Sequence, residues 1–380
     1  MKKILFIVSV LFLPMQNAFV QEIKNLLELK KTSENFIFSR LDKAPKTPAF
    51  ESEGYWSWCG SAVKGYDGKY HIYVSRFPKS LPFHPGWMVA SEVVHAVSNV
   101  PTGPYIFSDV ALPARGAQYW DGRMTHNPAI QKYKGKYYLF YIGSTHPFAE
   151  PTYDELTLAS KWCIVARSNK RIGIAVSDSP YGPWKRMSKP VLETKPNTFY
   201  SYLTSNPTPF IQQDGSVMMV FKGRGYNKDN TFSSMALGVA YAPTVMGPYK
   251  VLNNDQPIFD VEKQGEAEDP FLWKDKKAYH LIFKDQLGKF SGEKGGGVSA
   301  HSTDAVHWQI DKSPKAYSRT IEWEDGTVST QGQLERPFII FENEKPAYLF
   351  FATMDGPGGF NNATKSWNMV IPLTDSMKVK

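Results

Sequence analysis

The chain of 380 residues contains two cysteines, Cys59 and Cys163. Two thiols are too few for a disulfide framework, so burial must hold the core, and spacing alone leaves open whether the two pair. Among the eight histidines there is no His-x-x-x-His pattern, so no zinc signature is present. A cation such as calcium, held in a channel by carboxylates and water, would leave no sequence signature, and no cofactor is otherwise required. The formal net charge is +8, yet no run of five like charges occurs. The basic stripe that nucleic-acid binding needs is therefore missing, and an anionic substrate fits the balance better. The glycine-rich stretch "GEKGGGVS" lacks the paired lysine and hydroxyl of a nucleotide loop. The one marked apolar run, residues 4–13, is too short to span a bilayer.

That run belongs to "MKKILFIVSVLFLPMQNAFVQ": two lysines, an apolar stretch, then small and polar residues. This is the layout of a secretory signal peptide, which predicts residues 1–20 as a leader cleaved near Ala18, export to the periplasm or medium, and no membrane association afterwards. Residues 21–380 are then one unit, since closed all-β folds often run to this length. Aromatic residues make up 14 % of the chain, many beside glycine, proline or polar residues. Such rings either pack a core or offer platforms on which sugars stack.

The chain also repeats itself. "CGSAVKGYDGKYHIYVSRF", "HNPAIQKYKGKYYLFYIGS", "SNPTPFIQQDGSVMMVFKGRG", "EDPFLWKDKKAYHLIFKDQ" and "ERPFIIFENEKPAYLFFAT" each read as a polar start, a strand, a turn and a strand rich in Tyr, Phe and Leu. Glycine at Asp67-Gly68, Lys134-Gly135 and Asp214-Gly215 marks hairpin turns. A third strand follows the first four, in "SEVVHAVS", "RIGIAVS", "ALGVAYA" and "GGVSAHS", and Gly-Pro turns recur at Gly103, Gly182 and Gly247. The residue before the leading proline recurs at Asn127, Asn206, Asp269 and Arg336, separated by 79, 63 and 67 positions. The Gly-Pro turns are separated by 79 and 65. A period this long, with several short strands per repeat and no sustained helical periodicity, predicts an all-β, five-bladed β-propeller of a single domain, with a β-sandwich as the alternative. First strands are expected to start near Gly60, Asn127, Asn206, Asp269 and Arg336. The extra length in the second repeat, residues 146–168, is expected to overhang the channel mouth as a loop or short helix.

First strands of a propeller line its axis, so the five polar starts should ring one mouth. The hairpin pattern, the "SDSPYGPW" turn, an Asp-Pro start and a later Glu resemble the five-bladed propeller glycoside hydrolases of the arabinanase, levansucrase and invertase group, nearest to glycoside hydrolase families 43 and 117. The resemblance covers nearly the whole mature chain. It implies a base, a second carboxylate that tunes pKa, and a general acid on different first strands, because a leaving oxygen must be protonated while water or a carboxylate attacks the anomeric carbon. Asp269 then matches the tuning carboxylate and Glu335, in "LERP", the general acid. At the base the chain departs from the pattern: where an aspartate is expected it has His126 and Asn127. His126 and Asp121, both in "WDGRMTHNP", are the replacement candidates, a neutral imidazole being suited to proton transfer near neutral pH. Substrate contacts are expected from Trp58, Arg76, Arg123, Asn127, Asn206, Glu268, Lys284 and Arg336. Arg76, Arg123, Lys222 and Lys284 would suit a carboxylate or sulfate on the sugar. The resemblance thus implies an enzyme acting on plant or algal oligosaccharides or polysaccharides, exo-acting if the insertion closes one side of the funnel. The rivals are a sugar-binding propeller without turnover, motivated by Asn127, and a polysaccharide lyase using a His or Tyr base.

Overall fold

The computed structural model describes Gln21, residues 23–30 and residues 33–374. The leader-like residues 1–20 lie outside the described residues. Five antiparallel sheets follow one another along the chain, each with its first strand innermost. The inner strands are Tyr55–Lys64, Met124–Tyr133, Leu203–Ile211, Ala267–Lys274 and Gln333–Glu342. Each packs against the next, and the first meets the fifth, so they surround one axis. This is the five-bladed propeller that the repeats predict.

A blade is buried on both faces, which is why its middle strands read as nearly unbroken apolar runs rather than alternating ones. In the second strand of blade two, Lys136–Ser144, Leu139 and Tyr141 join Tyr73 and Val93 of blade one, while Phe140 and Ile142 join Met219 and Phe221 of blade three. Successive side chains point to opposite faces, so one strand serves two cores. The same division recurs between blades three and four, four and five, and five and one.

The markers before proline lie inside the strands rather than at their starts. Each inner strand skips register against its neighbour at this point. Cys59, Asn127, Asn206, Asp269 and Arg336 all take positive φ, between 32° and 54°. Asn and Asp visit this region more readily than other side chains, which accounts for three of the five; Cys59 and Arg336 are held there by the fold. After Cys59 comes Gly60 instead of proline, because a Cβ there would lie 2.2 Å from the Asn368 amide oxygen.

The fifth blade has three strands of its own, ending in Ser366–Pro372. Its outer edge is covered by residues 37–50. Ala49 and Phe50 donate backbone hydrogen bonds to Asn368, Asn368 returns one to Phe50, and Thr374 donates to Arg40. Ile37, Phe38 and Leu41 complete the core between blades four and five. Covering the last strand with residues 37–50 in this way removes an open sheet edge. Phe38→Ala is expected to cost about 3 to 5 kcal/mol of folding stability in a urea titration. A loss below about 1 kcal/mol, the scale of an ordinary surface change, would mean that this segment does not close the ring.

Candidate active site

At the mouth of the axis lies a cavity of about 300 Å³. Cys59, Asn127, Asn206, Asp269 and Arg336 all line it, together with Trp58, His126, Glu268 and Glu335, the residues directly before four of them. In a regular strand neighbours point apart. The skipped register removes that restriction, so Glu268 and Asp269 serve one cavity instead of one of them facing a neighbouring blade. Beneath this ring, Gly60, Pro128, Pro207, Pro270 and Pro337 surround a space of about 10 Å³ that closes the floor.

Hydrogen bonds run around the ring. Asn127 Nδ2 donates to Asn206 Oδ1 at 2.7 Å, and Asn206 Nδ2 donates to Asp269 Oδ1 at 2.6 Å. The Arg336 backbone N–H reaches Asp269 Oδ2 at 3.2 Å. Asn127 and Asn206 therefore hold Asp269 in place as well as facing the cavity. Glu268 is ion-paired with Lys222 and accepts from Gln286 Nε2 at 2.8 Å; Glu335 is ion-paired with Lys284.

These surroundings pull the carboxyls apart. Burial pushes Glu335 up to about 7; Lys284 opposes this, while Asp269 and Glu268 add repulsion. Burial also works against the charge on Glu268, but Lys222 and Lys284 outweigh it and hold that group at about 2. Asp269 is raised by burial and by Glu268, against Arg336 and Lys284. Lys284 stays above its usual range, since Glu335, Glu268 and Asp269 outweigh its burial.

His126 is buried on the cavity wall, its ring stacked 4.8 Å from Trp87. Its Nδ1 lies 2.7 Å from Ser91 Oγ and its Nε2 3.7 Å from Cys59 Sγ. Burial, with Lys170, Arg336 and Lys222 nearby, holds the imidazole well below its ordinary value, hence neutral. Cys59 and Cys163 are both buried and unpaired.

Asp121 is not brought to the cavity. Its fully buried carboxylate accepts from Arg115 Nε and Tyr141 Oη, each at 2.7 Å, and pairs with Arg186 at 3.4 Å. That network is structural, so Asp121→Asn is expected to cost about 3 to 5 kcal/mol in chemical denaturation, as for other broken buried pairs. Arg76 and Arg123 do not line the cavity either. Arg76 pairs with Glu92 at 2.9 Å and lies against Tyr55 and Phe107, while Arg123 pairs with Glu150. Lys284 does not line the cavity itself; it is ion-paired with Glu335 and acts on Glu268 and Asp269 through space. Trp58 does line the cavity, with its ring edge against Phe83 at 4.8 Å.

Several lining residues have no counterpart in the sequence reading. The helix Phe83–Ala90, between the second and third strands of blade one, contributes Phe83, His84, Trp87 and Met88. Its apolar residues carried no clear periodicity, and a proline interrupts it. The insertion at residues 146–168 contains the helix Lys161–Ser168 and brings Arg167 to the rim, with Lys170 just beyond. It is more than a loop: Leu156, Cys163 and Ala166 pack with Leu81, Met88 and Val89 into a small core of their own. Among the described residues no three His, Cys, Asp or Glu side chains are grouped to hold a metal ion.

The raised carboxyl of Glu335 has a consequence for stability. Between pH 4.5, its ordinary value, and about 7, the folded chain keeps a proton that the unfolded chain has released. Its contribution is thus full at low pH and is lost as pH rises through about 7. Melting temperatures of the native protein are expected to fall relative to those of Glu335→Gln across this window. Parallel curves would mean that Glu335 is ionised throughout.

No family model matches the sequence, and no curated protein matches it either. Solved structures do. A family 117 glycoside hydrolase from the marine bacterium Zobellia galactanivorans is 15 % identical, with 87 % of this chain and 89 % of that one covered at a TM-score of 0.63. The family 43 β-xylosidase/α-arabinofuranosidase CoXyl43, from a compost microbial metagenome and in complex with xylotriose, is 19 % identical over 89 % and 96 % of the two chains, with a TM-score of 0.57. A Cellvibrio cellulosa α-L-arabinanase complexed with arabinohexaose is 14 % identical over 84 % and 93 %, with a TM-score of 0.52. With these enzymes the chain shares its fold, the five-bladed β-propeller.

Proposed function

We propose that this chain is an exported glycoside hydrolase that cleaves plant or algal oligosaccharides in its axial cavity. One observation carries the reading: two carboxyls in the same cavity, Glu335 near neutral and Glu268 held ionised, have their protonation pulled in opposite directions. A pair divided in this way is what acid-assisted bond cleavage requires. The likeness in fold to enzymes crystallised with xylotriose and arabinohexaose supports a carbohydrate substrate.

In this mechanism Glu335 gives its proton to the glycosidic oxygen as the bond to the anomeric carbon breaks. Water attacks that carbon, and His126, across the ring in blade two, accepts the water's proton. Burial keeps Glu335 protonated, and the negative charge of Asp269, fixed by Asn206 and the Arg336 N–H, adds to it. Glu268 remains ionised and favours the positive charge that builds on the sugar ring. The helices Phe83–Ala90 and Lys161–Ser168 wall one side of the mouth, which favours cleavage at a chain end. Export rests on the leader-like residues 1–20 and would place the enzyme in the periplasm or medium.

One observation favours a second reading, a propeller that binds sugars without turning them over: burial and three cations make His126 a weak base. Kinetics of Glu335→Gln separate the two. The substitution keeps the shape and is expected to lower kcat/KM on a natural glycoside by roughly 10²- to 10⁴-fold. The loss should be much smaller on an aryl glycoside whose leaving group needs no protonation. Asp269→Asn is expected to move the alkaline limb of the pH profile to lower pH, since Glu335 loses its proton more easily without that charge. Full activity of Glu335→Gln on a natural glycoside would remove Glu335 from the mechanism.

A further inference from the structure

Charges around the cavity do not balance. Each of its three carboxyl groups already has a cation beside it: Glu268 has Lys222, Glu335 has Lys284, and Asp269 has Arg336 at 3.9 Å. Arg167, Lys170 and Arg224 line the same cavity, and none of them is ion-paired with a described residue. Lys170 is only 4 % exposed. Its ammonium lies 4.8 Å from the centre of the Trp87 ring and donates no hydrogen bond to a described residue. Glu268 acts on it through space alone, being already bonded to Lys222 and Gln286. The Arg167 guanidinium likewise bonds no described residue. Arg224 donates through Nε to the Ser233 carbonyl at 2.8 Å and lies over the Phe232 ring, and its terminal nitrogens bond no described residue.

Sequestering a cation without a counter-charge is costly. The fold nevertheless brings three together: the insertion of blade two supplies Arg167, Lys170 follows just after it, and the second strand of blade three, Val217–Arg224, supplies Arg224. Guanidinium groups pair with planar oxyanions through two nitrogens, and an ammonium adds a point charge. We propose that Arg167, Lys170 and Arg224 form a subsite for an oxyanion substituent, carboxylate or sulfate, on the bound sugar, so that the substrates are acidic glycans. This rests on the carbohydrate reading of the cavity. It also moves the anion site away from Arg76 and Arg123, which are paired elsewhere.

The groups around Lys170 are Arg167, Lys222, Arg224, Glu268, His84 and His126. Burial, then Lys222 and Arg167, holds Lys170 well below the usual lysine range, and an anion seated beside it would favour its charged form.

Calorimetry on the intact chain carrying Glu335→Gln, which keeps bound sugar uncleaved, tests the subsite. The probes are oligosaccharides containing hexuronate residues, the same oligosaccharides after carboxyl reduction to neutral sugars, and sulfate-substituted ones. One charged form is expected to bind roughly 10- to 100-fold more tightly than its neutral counterpart, the scale of hydrogen bonds to charged groups. Whether the carboxylate or the sulfate gives the gain identifies the oxyanion. Lys170→Met and Arg167→Gln should each remove most of that preference, lowering the affinity for the charged form far more than that for the neutral one. Equal affinity for charged and neutral forms, no binding of either, or a charge preference that survives both substitutions would overturn the subsite. Hydrolysis of glycans by the unsubstituted chain without charge preference would leave the hydrolase reading standing alone. Charge-selective binding without hydrolysis would leave the subsite standing alone.

Discussion

Five residues held at positive φ, one in each inner strand, are the constraint on which the site depends. The break in register at these points lets two successive side chains of one strand reach the axis, where a regular strand would turn one of them away. For Arg336 and Cys59, which lack the local hydrogen-bonding habit of Asn and Asp, such a backbone costs on the order of 1 to 3 kcal/mol. The surrounding sheets hold that strain. Side-chain hydroxyls help: Ser61 accepts from the Ile130 N–H of the next blade and Thr208 from the Leu272 N–H, each at 3.0 Å. The inner strands are thereby tied to one another at the level of the ring.

From that geometry the electrostatics follow. Three carboxyls enter one small buried space, and they could not all ionise there without compensation. Lys222 and Lys284, from the second strands of blades three and four, each reach across to the carboxylate of the following blade. The compensation is unequal, because Glu268 feels both lysines while Glu335 feels one lysine and two carboxylates. Two chemically similar side chains at equivalent positions in neighbouring blades thus acquire opposite protonation preferences.

Much of this was legible in the sequence because repetition is a strong signal. Asn127, Asn206, Asp269 and Arg336 could be aligned on the proline that follows each, and that alignment placed them at one mouth. Cys59 escaped it, since Gly60 stands in place of the proline for a reason visible only in three dimensions, the approach of Asn368. The acid pair Glu268 and Glu335 was legible as residues but not as opposites, because the lysines that divide them belong to other strands. Asp121 looked available beside His126, yet Arg115, Tyr141 and Arg186 enclose it. Arg167, and Lys170 just after it, carry no signal in the sequence because an insertion has no repeat to align with, and its helix Lys161–Ser168 is too short to show a clear apolar period. The closure of blade five by residues 37–50 was hidden for a similar reason: its hydrogen bonds are made by backbone.

The central claim is that water adds across a glycosidic bond in the cavity. The direct measurement is mass spectrometry of the fragments released from acidic and neutral oligosaccharides in water enriched in heavy oxygen, with Glu335→Gln as the control. The account predicts one heavy oxygen at the new reducing end of the released fragment, and its disappearance in the control. An unlabelled fragment carrying a new double bond would show elimination instead, and an oligosaccharide that binds in the cavity but is never cleaved would show a propeller that only holds sugars; either result would contradict it.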